Sequence, residues 1–505
     1  MEFTGFPCIE YAAASYVWRG NQPPSHCTLS TKEFSVLGAE DADPIGLDVL
    51  VDTCAASLAC GASYLWLDRL CIMQTSKQDK RWQIREMYRM YTFATVCVVI
   101  PGGLRFLVPF SEETQWIHRG WTLQEVVAPP SVAVLFSWTH GAGEVHVNIH
   151  GEDKHGRIEI VTPRASAMMG LEQVLGVCSV GYFDFIPDAA EEATATLQIE
   201  AALFGKPPSD VSQGKILTDI RLPNVAALSF AAANWIDTDE MRDACIWQCA
   251  LVRTSSRPVD MVFSIMGILG VTLDPSDFAV DDRLGATIAL AREILRQGRS
   301  ASWLGISVNL PPCPHLSSFP TFPRTSVAGK AMYDLPSGGQ QLVTLTDAIY
   351  PNDVGLFPPL KGSMDETGYH SFDAMAARLT ATSAASPLSP DSFYDDAVHP
   401  TQLRAMDGST WIISSDMLIA DGCGTSSISP SSQEPQSFAV MLGFYNGIPA
   451  VTTGNTIRAM LVTEHAKDKY HVRSYFLFSH EALGWASTWK THHFCIGGPE
   501  TVTER

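Results

Sequence analysis

The chain has 505 residues, 46% of them apolar and 17% charged, a composition of buried cores and not of a disordered segment. Its length exceeds the size at which one core keeps growing, so two or three domains are expected. With 34 basic and 54 acidic residues the formal charge is −20, and no long basic run offsets it, which argues against nucleic acid as a partner. The opening MEFTGFPCIEYAAASYVW has no basic stretch followed by an apolar one, and no apolar run approaches the roughly 18 residues of a membrane span. A cytoplasmic protein without a membrane span is expected. The 12 cysteines include no C-x-x-C pair. Cys54, Cys71, Cys97 and Cys245 lie in apolar surroundings, as free thiols do, so no disulfide framework is expected.

In chain order, YAAASYVW (11–18) reads as a buried strand. Leu47, Leu50, Val51, Cys54 and Leu58 then mark the apolar face of a helix closed by Gly61. YLWLD (64–68) is a second strand. A second helix carries Ile84, Met87, Tyr88, Tyr91 and Ala94 on one face, with Thr75, Ser76 or Asp79 as its N-cap. TVCVVI (95–100) and VAVLFSW (132–138) complete the strands. Alternating strands and helices imply a doubly wound parallel sheet, an α/β domain over residues 1–140. Ligands of such sheets sit beyond the carboxyl ends of the strands, where the strand order reverses. Three loops qualify: Arg19 to Asn21, Arg69 to Lys77, and the stretch from Gly102 and Gly103 to WIHRGWTLQE (116–125).

Residues 141–164, polar and Gly-rich, read as a linker, and 165–305 as a helical region. Within it, Leu284, Ile288, Ala291 and Leu295 form an apolar stripe ending at Gly298, and Pro258 stands near the start of another helix. Residues 306–330 are rich in Pro and Ser and read as irregular. Residues 331–505 read as a β-rich accessory domain from TWIISSDMLI, SFAVMLGFYN, TIRAMLVTEH and YHVRSYFLFS. TATSAASPLSP and GTSSISPSSQEPQS interrupt those strands as loops or disordered insertions.

Three blocks, YAAASYVWRG, YLWLDRLCIMQ with DKRWQIREMYRMYTFATVCVVI, and RGWTLQE, resemble in order and spacing those of the fungal heterokaryon-incompatibility (HET) domain. The later RTSSRPVDMVFSIMGILG is similar to the segment that follows that domain. Arg19, between the block's Trp and Gly, and Met73, in place of Asn, depart from the family pattern. HET domains are distantly similar to TIR domains, in many of which a tryptophan is followed four residues later by a glutamate that serves NAD cleavage. Trp121 and Glu125 have that spacing. The resemblance implies a cell-death or innate-immunity role, a TIR-like (flavodoxin-like) fold, and Glu125 as catalytic residue of an NAD hydrolase. It further implies NAD or a related nucleotide as substrate, with no cofactor required, and a homo-oligomer on activation. A protein partner would act through the C-terminal region. The residues expected to contact the nucleotide are Ser15, Tyr16, Trp18, Arg19, Asp68, Arg69, Gln74, Arg119 and Trp121.

Residue chemistry leaves alternatives beside that reading. The nicotinamide leaving group is already cationic, so one carboxylate can replace the usual glycosidase pair. Yet Thr122 to Glu125 also reads T-x-x-E, a capping box in which Glu125 would bond the Thr122 backbone N–H, and Pro129 and Pro130 limit that helix to about two turns. A non-catalytic module acting by self-association is the rival function. Asp68 either faces ligand or caps a turn, and Gln74 holds either loop backbone or ligand. Ser15 and Tyr16 serve strand packing or ligand approach, and Arg19 and Arg119 meet phosphates or pair with surface acids. Cys71 reads as a buried thiol. His140, His146, His150 and His155, and the HHFC of His492, His493 and Cys495, match no zinc spacing, so no metal is expected. Dinucleotide G-x-G-x-x-G and P-loop fingerprints do not occur.

Overall fold

The computed structural model describes residues 9–23, 32–149, 151–188, 196–206, 222–232, 238–334, 340–342, 349–352, 357–382, 400, 402–414, 435–447 and 456–500. The first elements are β1 (Tyr11–Tyr16), a short antiparallel pair β2 (Glu33–Phe34) and β3 (Ile45–Gly46), α1 (Leu47–Ala59), β4 (Tyr64–Trp66) and α2 (Asp68–Cys71). Then come α3 (Lys77–Thr92), β5 (Val96–Ile100), α4 (Thr122–Val127) and β6 (Val132–Ser137). Strand β1 pairs in parallel with β4 on one side and β5 on the other, and β5 in parallel with β6. The parallel order is therefore β4-β1-β5-β6, and it reverses at β1 and β5.

Period-two alternation divides these strands between two cores. Ala12, Ala14, Tyr16, Val96, Val98 and Ile100 face α1, whereas Tyr11, Ala13, Cys97, Val99 and Val134 face the side of Met87 and Tyr91 in α3 and Leu123 and Val126 in α4. Helices cover both faces, as expected of a doubly wound sheet. The start of α3 follows its expected cap, the Ser76 hydroxyl accepting from the Asp79 N–H at 3.2 Å.

The expected inner face of α1 is its outer one. Leu47, Val51, Cys54 and Leu58 are exposed, Leu50 alone of the expected face packs partly buried against the core, and the buried residues are Val49, Asp52, Thr53, Ala56 and Ser57. The reason is local satisfaction of polar groups. The Thr53 and Ser57 hydroxyls each donate, at 2.7 Å, to the carbonyl four residues back, and Asp52 accepts from Thr162 at 2.5 Å. Small side chains with satisfied hydroxyls pack closely on the alanines of β1.

The segment expected as a linker is part of the sheet. It forms the hairpin β7 (Gly143–Ile149) and β8 (Glu152–Thr162), and the region expected as helical adds β9 (Ser166–Gly170), β10 (Tyr182–Pro187) and β11 (Leu197–Glu200) around α5 (Leu171–Val180). The result is a nine-stranded mixed sheet in the order β11-β10-β7-β8-β9-β6-β5-β1-β4. Helices α6 (Pro223–Ala231), α7 (Asp239–Leu251), α8 (Asp260–Met266) and α9 (Arg283–Arg296) follow. The stripe on α9 is buried at Ile288, Ala291 and Leu295 as read, while Leu284 is partly buried against the same core.

The C-terminal region is β-rich. After the pair β12 (Met332–Asp334) and β13 (Gln340–Leu342) come β14 (Ile349–Asn352), β15 (Ser363–Met364), β16 (His370–Ala381), β17 (Gln402–Arg404) and β18 (Thr410–Ile413). The last strands are β19 (Ser437–Gly447), β20 (Thr456–Ala466), β21 (Lys469–Ser479) and β22 (Lys490–Ile496). Strand β16 pairs with β22 through its first half and with β19 through its second, closing a ring β16-β19-β20-β21-β22. Phe438, Tyr470 and Phe494 meet within it, ring centroids 5.4 to 5.9 Å apart. Most of the two expected insertions lies outside the described residues. Among those described, no helix is long and apolar enough to cross a membrane.

Candidate functional site at the carboxyl ends of the parallel strands

Ser15 and Tyr16 end β1, where the strand order reverses, and their side chains leave on opposite faces. On the face of α3 and α4, the wholly buried Ser15 hydroxyl donates to Glu125 Oε2 at 2.5 Å and accepts from the Trp116 indole N–H at 2.9 Å. Trp116 is itself fully buried, stacked on Phe204 with centroids 5.2 Å apart. Glu125 is partly exposed, and among the described residues no donor reaches its other oxygen, Oε1. Burial pushes the Glu125 carboxyl up to about 8; the Ser15 hydrogen bond opposes that shift and the nearby Asp68 carboxylate adds to it. Among the described residues one oxygen is held and the other accepts no hydrogen bond.

The capping geometry expected of Glu125 is not formed. Trp121, already in helical conformation, is the N-cap of α4. The Thr122 hydroxyl donates to the carbonyls of Trp116 (3.0 Å) and Arg119 (2.8 Å), and the Glu125 carboxylate reaches across to β1.

On the opposite face, Asp68 has donors on both carboxylate oxygens. Its carboxylate accepts from the Tyr16 hydroxyl, from the Trp18 indole at 2.9 Å and from the Arg69 N–H at 2.7 Å. Burial still raises its pKa, against those hydrogen bonds and the Arg69 charge. Arg69 is buried, its guanidinium 5.6 Å from the Tyr16 ring centroid and donating to the Asp43 carbonyl at 2.5 Å. Gln74 donates to the Asp68 carbonyl at 3.0 Å, so it holds the loop backbone. Tyr16, Trp18, Asp68, Arg69 and Gln74 are thus one connected group, while Ser15 joins Glu125 and Trp116 on the other face.

The remaining expected residues have other partners. Arg19 is exposed and donates to the Asp41 carbonyl at 2.7 Å. Arg119 donates to the Ser326 carbonyl at 2.8 Å, and the Trp121 side chain is hydrogen-bonded to Asp260. Cys71, expected as a buried thiol, is exposed as a residue, although its sulfur turns inward to the Leu67 N–H at 3.5 Å; Cys54 is exposed too.

Sequence reasoning missed Trp116 and Asp43 as parts of the site. Trp116 lay in the stretch singled out, but nothing local distinguishes it from Trp121. Asp43 accepts the Gly20 N–H at 2.7 Å as well as serving Arg69, a role built by tertiary contact alone. Gly20 itself is required: a Cβ there would stand 1.9 Å from the Gly102 carbonyl oxygen. That contact brings the loops after β1 and β5 together, and the Asn21 N–H donates to the same carbonyl at 3.0 Å.

Fold and site together define an α/β domain with a carboxylate presented at the switch point of a parallel sheet. Comparison with known proteins adds a family match: residues 11–105 match the family described as "Heterokaryon incompatibility protein (HET)", which supports a HET domain in that part of the chain. It is similar to the "Vegetative incompatibility protein HET-E-1" of Podospora anserina, 31% identical over 83 residues that cover 14% of this chain and 6% of that protein. The chain thus matches a small fraction of that relative's length. No solved structure matches. The family match takes in β1, Asp68 and β5 but ends before Trp116 and Glu125.

Proposed function

We propose that this chain is an incompatibility or innate-immunity protein whose N-terminal, TIR-like domain hydrolyses the nicotinamide glycosidic bond of NAD and so leads to cell death. The observation that carries this reading is Glu125: anchored by Ser15 at the switch point, with Oε1 accepting no hydrogen bond among the described residues. Ionised, it would accept hydrogen bonds from the nicotinamide-ribose hydroxyls and stabilise the oxocarbenium-like transition state by charge placed in advance. The C1′–N bond breaks, nicotinamide leaves neutral with the bonding electron pair, and water adds at C1′ while releasing a proton. NAD and water thus yield ADP-ribose, nicotinamide and one proton. On binding, the cationic ring would favour release of the Glu125 proton to solvent, since an adjacent positive charge favours the ionised carboxylate.

A second reading has its own support. The exposed stripe of Leu47, Val51, Cys54 and Leu58 on α1 suits a module that acts by self-association in the cytoplasm. The two are separated by measuring nicotinamide release from NAD by the full chain and Glu125→Gln at several protein concentrations. Release that the near-isosteric variant abolishes at an unchanged melting temperature supports hydrolysis. No release at any concentration, or equal release by both, rejects it and leaves self-association.

A further inference from the structure

Four histidines between residues 140 and 155 have no metal-binding spacing along the chain, but the β7–β8 register sets His146 directly opposite His155. Directly opposed residues share a sheet face. Their Nδ1 atoms are 3.1 Å apart, with rings nearly perpendicular and centroids 4.5 Å apart. His146 turns its other nitrogen, Nε2, to the Glu144 carboxylate at 3.3 Å. A neutral His146 donating from Nε2 carries its lone pair on Nδ1, toward His155.

We infer that His146 and His155 form a binding site for a late first-row divalent cation, Zn²⁺ or Ni²⁺, bound through the two Nδ1 atoms. Metal–imidazole bonds of roughly 2.0–2.1 Å place two nitrogens about 2.9 Å apart at a right angle and about 3.3 Å apart in a tetrahedron, which brackets the spacing observed. A carboxylate behind a ligating imidazole fixes its tautomer and raises its basicity, the part Glu144 plays. Asp184 lies opposite His146 on β10, in the same cross-strand row, and adds negative charge. Arg157, two residues beyond His155 on the same face, is occupied by Asp188 at 2.6 Å. Among the described residues no three or more His, Cys, Asp and Glu side chains converge on one point, so water completes the coordination.

The protein contains its own control. His465 and His471 also bring their Nδ1 atoms to 3.3 Å. There the Nε2 partner is the Tyr369 hydroxyl, not a carboxylate, and the Lys469 ammonium stands 4.1 Å from the Tyr369 ring centroid. Burial and Lys469 together lower the His465 pKa. A cation is disfavoured at that pair.

The test is calorimetric titration of the full chain with Ni²⁺, and separately Zn²⁺, against His146→Ala, His155→Ala, Glu144→Gln and His465→Ala. Thiols contribute equally in every variant, so the readout is the difference from the parent. Either histidine variant at the hairpin is expected to lose one equivalent of bound metal, with its metal-free melting temperature unchanged. Glu144→Gln is expected to keep the equivalent at about tenfold lower affinity, and His465→Ala to match the parent. Undiminished stoichiometry in both hairpin variants, or loss of the equivalent in His465→Ala instead, would overturn the assignment.

Discussion

Asp68 and Glu125 stand at the same end of one sheet, on either side of β1, and differ in what surrounds them. Among the described residues, Asp68 receives three donors and lies beside a buried arginine, whereas Glu125 receives one, on a single oxygen. A carboxylate with donors on both oxygens holds loops together. One anchored on a single side retains the capacity to bind a ligand, and incomplete solvation lifts its pKa into the range where proton exchange is useful. The loop group around Asp68 is therefore the scaffold, and Glu125 the group it presents.

The sharpest way to break this comparison is Asp68→Asn. An amide keeps one acceptor oxygen, so its NH2 would face either the Trp18 donor or the Tyr16 and Arg69 donors, and with the charge beside Arg69 also removed a loss of about 3 kcal/mol is expected in denaturant unfolding. A loss no larger than that of Glu125→Gln would erase the distinction. Next in size is Ser15→Ala, which leaves the buried Trp116 indole N–H without its acceptor and removes the hydrogen bond that favours ionised Glu125. It should cost about 1–2 kcal/mol and shift the pH profile of nicotinamide release upward.

Glu125→Gln sharpens the contrast through pH. An unfolded Glu125 ionises near 4.5 and the folded one near about 8, so between these values the native state holds the extra proton and stability falls as pH rises. The contribution is fully present below 4.5 and lost on passing 8. The variant lacks this term, so its melting temperature should gain on the parent from pH 5 to pH 8. A constant offset would contradict the burial argument. For the same reason kcat/KM for NAD should rise with pH toward a plateau above about 8, because the working form is the ionised one. The smallest effect belongs to α1: Leu58→Gln, on the exposed stripe, should change stability by less than about 0.5 kcal/mol. Light scattering at high protein concentration would show whether it weakens self-association.

The parallel strands were legible in the sequence because each is a short apolar run bounded by turn residues, and their alternation with helices carried the topology. The orientation of α1 was not, since its buried face is built of Thr53, Ser57 and Asp52, whose polar groups are satisfied locally or by Thr162. Hydropathy cannot register such satisfaction. The hairpin β7–β8 reads as a linker in the sequence because its solvent face carries Glu144, His146, Asn148, Asp153 and His155, and half-exposed antiparallel strands resemble polar loops when one face is all polar. Of the site, Ser15, Tyr16 and Asp68 came from position at strand ends, and Glu125 from the Trp121–Glu125 spacing on which the resemblance rests. Trp116 and Asp43 did not, because their roles depend on Phe204 and on Gly20 and Arg69, contacts that no local spacing encodes. Arg19, Arg119 and Trp121 were grouped with the site by proximity in sequence, and their partners in the structure are Asp41, Ser326 and Asp260.

The most direct test is an infrared titration of the Glu125 carboxyl, taken as the difference between the parent and Glu125→Gln, with and without NAD. The account predicts a protonated-carboxyl band that disappears with a midpoint near about 8 and moves to lower pH when NAD binds. A midpoint near the ordinary value of 4.5, or one that NAD does not move, would contradict it.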